Sequence, residues 1–203
     1  MRRFALLSIG ILVGVLGLAA VRMATAAPQP ATHYHANWAV FVDGERLDLS
    51  GDRFMEEVSA CYTGGGGIQP QQRTHMHDND PDVVHIHDDG VTWGHLMANL
   101  RFGLGENYLI LPVEKPLITD GERTLKFISD SVPALSPYNR VIRSTERLLI
   151  SYGLESEEEV LATQFPEVAT TAEEHNSLPD PAACQRHKEL TLGVRIRHAF
   201  LGR

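Results

Sequence analysis

The sequence predicts an α+β fold: a mostly antiparallel sheet with one main helix after a histidine-rich hairpin, preceded by an N-terminal membrane anchor. Three observations predict it. Short alternating runs recur between glycine and proline punctuation, as half-buried strands do. One segment, 93–102, carries a helix-start signal at Thr92 with Leu96 and Leu100 on one side. Residues 4–21 form an 18-residue stretch without charge behind a basic Met1-Arg2-Arg3 start.

That first stretch reads as a short anchor or a secretory signal, with Ala24-Thr25-Ala26 as a small-residue cleavage site. The anchor is the preferred reading, because the run is long for a signal core and Arg22 closes it. In both readings Arg2 and Arg3 stay cytoplasmic and the rest is exported. The chain then divides into a signal or anchor at 1–26, a Pro/Ala linker at 27–32, a histidine-rich α+β domain at 33–153, and an acidic arm with a C-terminal extension at 154–203. Removing 1–26 takes away three arginines and no acid, leaving 15 basic against 26 acidic residues, a net of −11. That balance excludes nucleic acid as the main partner. It leaves the membrane, reached through the N-terminal helix, and a larger membrane protein complex as expected partners.

In order, 33–42 alternates with Tyr34, Ala36, Trp38, Val40 and Val42 on one face, which is a strand over a core. Asp43-Gly44 is a hairpin turn signal, and 46–49 returns as a second strand. Residues 52–58 read as a short helix, and Gly64–Gly67 as a surface loop, since no G-K-[ST] follows to make a phosphate cradle. Two short strands, 74–78 and 83–88, are joined by a turn at 79–82. Further strands fall at 107–111, 124–129 and 147–152. Ser156 and Glu159 fit a capping box for a helix over 157–164, and a helical turn is expected near 172–175. The final alternation over 190–200 reads as a strand, or as a basic extension that docks on something else. Cys61 and Cys184 are the only cysteines, and in an oxidising compartment they are expected to form a disulfide.

The chemistry concentrates in the histidines. His33 and His35, His75 and His77, and His85 and His87 make three H-x-H pairs. On a strand, residues i and i+2 share a face, so each pair presents two imidazoles side by side. Neutral imidazole is the commonest protein metal ligand and suits copper and zinc. Those six histidines are the candidate metal ligands, with His95 as a further one; His175, His187 and His198 read as surface residues. Whether the hairpin pairs converge depends on register. If Asp78 pairs Val83, the two pairs face opposite sides; if Asp78 pairs Val84, His77 opposes His85 and all four rings converge. The pair His33 and His35, opposite Trp38, joins them only if its strand lies beside the hairpin.

Other metal motifs fail. A cupin needs a glutamate shortly after H-x-H, where Val91 and Thr92 stand. Asp78, Asp80, Asp82 and Asp89 half mimic an EF-hand, but Val83 occupies the turn glycine's place. No H-E-x-x-H, nucleophile elbow or general base is legible.

The string H-x-H-A-x-W-x-V-F-V-D-G at 33–44, H-M-H-D with V-H-I-H-D-D-G-V-T-W-G across 75–94, R-L-L-I-S-Y-G at 147–153 and D-P-A-A-C at 180–184 resembles an uncharacterised group of exported, membrane-anchored bacterial and archaeal proteins. The resemblance implies one module over 33–184 and brings no activity with it. Two functions are therefore expected from the residues: a membrane-tethered, extracytoplasmic copper or zinc module for storage, delivery or sensing, or a structural accessory subunit of a respiratory or photosynthetic membrane complex. A metal-dependent enzyme ranks below both, since no catalytic residue is identifiable.

Overall fold

A computed structural model of the chain describes residues 2–25, 32–56, 69–178 and 192–201. The chain divides into two compact units, 32–185 and a second made of 1–31 with 186–203. Cys61, Cys184 and the four-glycine loop lie outside the described residues, and so does the expected disulfide.

In the larger unit, β1 (Tyr34–Val42) turns back through Asp43 and Gly44, both at positive φ, into the short β2 (Glu45–Arg46). Two positive-φ residues give the twist that a two-residue hairpin needs. Of the helix expected over 52–58, the described residues, which run to 56, hold a 3-10 turn (Asp52–Phe54). The short α2 (Pro70–Arg73) leads into β3 (Thr74–His75), and β4 (Val83–Ile86) follows a turn with Asp78 and Asn79 at positive φ. Helix α3 (Trp93–Asn99) starts as expected, with the Thr92 side chain accepting the His95 main-chain N–H. Then come β5 (Gly103–Leu104), β6 (Tyr108–Ile110), β7 (Leu117–Ile118), β8 (Thr124–Ser129), β9 (Val132–Ala134) and β10 (Arg147–Gly153). Helix α4 (Glu157–Thr163), a 3-10 turn (Phe165–Glu167) and α5 (Ala172–Ser177) complete the unit.

The main sheet has the order β3-β4-β1-β10-β8-β9, with β2 also paired to β1. It is antiparallel except for β1 with β10, which run parallel. Alternation divides the sheet's faces. Ala36, Trp38, Val40, Val84, Ile86, Leu148 and Ile150 point to one side and pack under Trp93, Leu96 and Met97 of α3. The small sheet β5-β6-β7 adds Leu104, Leu109 and Leu117 to that core. On the opposite side, Ala39, Phe41, Ile128 and Leu149 meet Val160, Phe165 and Val168 from α4 and the turn after it. This second core covers only β1, β10 and β8. Beyond it, on β1, β4 and β3, the same face carries the histidines.

Several helices, rather than one main helix, accompany the sheet, because the acidic arm folds as α4 and α5 against its second face. The segment expected as a C-terminal strand is α6 (Leu192–Leu201), a helix in the smaller unit with α1 (Arg2–Thr25), where Ala19 and Ala199 are buried. Leu192, Ile196 and Phe200, each four residues apart, satisfy helical spacing as well as alternation, so period two was not decisive. Among the described residues no helix is long and apolar enough to cross a membrane, so the expected membrane-spanning anchor is not borne out there. The uncharged run between Arg3 and Arg22 is 18 residues.

Gly94 shows how closely α3 is seated. Its N–H donates to the Tyr138 carbonyl at 2.8 Å, and a Cβ there would lie 2.5 Å from that oxygen and 3.0 Å from the tyrosine ring. Gly94→Ala is therefore expected to destabilise the domain by about 1–3 kcal/mol through overpacking. Urea denaturation measures it, and an unchanged midpoint would contradict this packing.

Candidate metal centre

The register of three strands builds the site. His35 of β1 faces His85 of β4, and His85 faces His75 of β3. A row of three imidazoles therefore crosses adjacent strands on one face. The hairpin registry keeps the even number sum that makes both H-x-H pairs converge. It is shifted by two from the convergent register that paired Asp78 with Val84, one of the two left open, so His75 rather than His77 opposes His85. Because β4 lies between β3 and β1, the third pair, His33 and His35, joins the same face.

The rings are close. His77 and His85 have centroids 3.7 Å apart, His35 and His85 4.3 Å, His33 and His87 4.9 Å, and His75 and His87 5.0 Å. His35, His75, His77, His85 and His87 are all buried, and His33 is half-buried at the rim. His33, His85 and His87 each bring one ligand atom into a group spanning no more than 4.8 Å, and this group can hold a metal ion. His95 is not part of the cluster: it is exposed, and its Nδ1 accepts the Thr92 main-chain N–H at the start of α3.

Neighbouring acceptors set which ring nitrogen carries the proton. Asn176 Oδ1 accepts the His35 main-chain N–H at 2.8 Å, which fixes that atom as oxygen. It therefore also accepts from His35 Nδ1–H at 2.8 Å, leaving Nε2 as the lone-pair nitrogen. His77 Nδ1–H donates to Asp78 Oδ2 at 2.8 Å, and His75 Nδ1–H donates to the Gln71 carbonyl at 2.7 Å. In all three the acceptor on Nδ1 orients the ring and leaves the lone pair on Nε2, the arrangement that outer groups impose around bound metals. His35 Nε2 and His77 Nε2 then meet His85 Nδ1 at 2.9 and 3.1 Å.

Helix α5 covers the row. Asn37 Oδ1 accepts the Ala172 N–H at 2.9 Å, and Asn37 Nδ2 donates to Thr171 at 3.1 Å. Arg147 ties the preceding turn to β10, donating to the Ala169 and Phe165 carbonyls and stacking over the Phe165 ring at 4.5 Å. This places His175, half-buried, 5.5 Å from the His35 ring and 6.2 Å from the His85 ring. Sequence reasoning assigned His175 to the surface. It lies outside any H-x-H, and only its seat on a short helix near Asn176 brings it in. At the other edge, His75 borders a small cavity of about 60 Å³ shared with Phe54, Met55 and Gln71.

Burial sets the charge state. It holds His35 down to about 4, against a weaker opposing effect of its Asn176 hydrogen bond. It holds His87 down to about 2 and His85 far below the usual histidine range, with the neighbouring rings adding to the effect. These rings are neutral at pH 7, which is the metal-binding form.

No family model, curated protein or solved structure matches the chain.

A pH dependence follows from His35. Its folded value of about 4 lies below the ordinary 6.5, so between the two the unfolded chain binds the proton and the folded chain does not. Stability is then fully present above about 6.5 and is lost as pH falls toward about 4. Urea midpoints of metal-free protein at pH 7.5 and 5.0 measure this. Equal midpoints would contradict a neutral buried cluster.

Proposed function

We propose that the chain is an extracytoplasmic metal-binding module for a transition metal, copper or zinc, serving storage, delivery or sensing. One observation carries the proposal: three H-x-H pairs from three adjacent strands meet on one buried face, with Nδ1–H of His35, His75 and His77 tied to acceptors so that Nε2 is the lone-pair nitrogen. An all-imidazole donor set suits copper and zinc over the hard, oxygen-seeking ions. Divalent copper binds such nitrogen sites more tightly than its first-row neighbours. Export is supported by the basic start and apolar run of the first 26 residues. The surplus of acidic residues favours approach of cations to the domain.

Metal binding stabilises a fold that the unfolded chain cannot match, by about 2.7 kcal/mol when free metal is 100 times Kd. Added copper or zinc is therefore expected to raise the thermal midpoint of the full-length chain. His85→Ala should remove the rise, whereas His95→Ala, outside the cluster, should keep it. Asn176→Ala, which frees the His35 ring, should weaken binding by about 10–100-fold. Calorimetric titration measures all three variants; a wild-type midpoint indifferent to metal would overturn the proposal.

A second reading, the accessory subunit, is favoured by one feature. Ile9, Leu12, Leu16 and Val21 of α1 are exposed, an apolar surface that a protein neighbour would cover. Purification in mild detergent tests it, with a stable co-purifying partner expected and a lone monomer counting against it.

A further inference from the structure

The tautomers at one corner of the cluster bear on how many ions it takes, a question that rests on the metal-binding reading above. Asn176 and Asp78 hold the protons of His35 and His77 on Nδ1. Both Nε2 atoms therefore carry lone pairs, and both point at a single atom, His85 Nδ1, at 2.9 and 3.1 Å. That nitrogen has at most one proton to offer. It can satisfy one of the two lone pairs and leaves the other facing it across a short gap, among rings only 2–4% exposed. Such a deficit is costly in a buried setting.

A cation between the three nitrogens satisfies all of them at once. Metal–imidazole bonds of about 2.0–2.1 Å require His35 Nε2 and His77 Nε2 each to part from His85 Nδ1 by only a few tenths of an ångström. With Nδ1 engaged there, Nε2 is the atom His85 has left for the second group. That group is His33, His85 and His87, with ligand atoms within 4.8 Å of one another.

We infer that the cluster binds two metal ions joined by His85: one held by His35 Nε2, His77 Nε2 and His85 Nδ1, the other by His33, His87 and His85 Nε2. His85 sits at the middle of the cross-strand row, the position from which one ring reaches both neighbours. The first ion takes the Nδ1 lone pair while the ring proton resides on Nε2. The second ion takes Nε2, that proton passes to bulk water, and the ring becomes a bridging imidazolate. Its negative charge offsets part of the repulsion between the two cations.

The test loads the full-length chain with excess Cu(II), removes unbound metal, and measures copper per chain together with its electron paramagnetic resonance. Two coppers per chain are expected, with a spin signal well below two because an imidazolate-bridged pair couples antiferromagnetically. His77→Ala and His87→Ala should each retain one copper with a full one-spin signal, and His85→Ala should disrupt both sites. Circular dichroism establishes that each variant is folded, and the wild-type spin count needs no variant. One copper per chain, or two with full uncoupled spin, would overturn the bridge while leaving the metal-binding reading intact. No bound copper would overturn both.

Discussion

The pairing of β1 with β4, in the register that sets His35 against His85, is the constraint on which the site depends. Side chains alternate along a strand, so a slip of one residue would turn every histidine of one strand into the apolar core. That core makes the slip expensive. Trp38, Val40, Val84 and Ile86 occupy the positions between and beside the histidines and are all fully buried. The apolar face thus holds the imidazoles in place on the other side of the same strands. Strand order completes the arrangement, since β4 lies between the other two histidine strands and no pair of rings is farther than one strand from His85.

The second face is half apolar and half imidazole, and both halves use the same cover. Val160, Phe165 and Val168 lie over the apolar half. The chain after them crosses to the histidine half, held by Asn37 beneath α5 and by Arg147 on the carbonyls before it. Desolvation follows from this cover and explains why the buried rings resist protonation. A face of neutral imidazoles with their Nδ1 protons assigned is preorganised for a cation, because little has to rotate when one arrives.

Much of this was legible from residues alone. The bounds of β8, the start of β10 and the N-caps at Thr92 and Ser156 follow from alternation and local side-chain chemistry, which depend on few distant contacts. The shared face of each H-x-H followed from strand geometry. The relation among the three pairs did not, since adjacency of β1 and β4 comes from long-range pairing that no local pattern records. Turn chemistry at Asp78 and Asn79 left two registers open, and the actual one is shifted from both. His175 and Asn176 were out of reach for a similar reason: a six-residue helix carries no sign of what it will cover. At the C-terminus the alternation over 190–200 coincided with helical spacing, and the helix prevailed.

The central claim is that the histidine face is where a transition metal binds. X-ray absorption spectroscopy of the copper- or zinc-loaded full-length chain tests it most directly. The account predicts a nitrogen shell at about 2.0 Å, with the outer-shell scattering of several imidazole rings. A shell of oxygen or sulfur without imidazole scattering would contradict it.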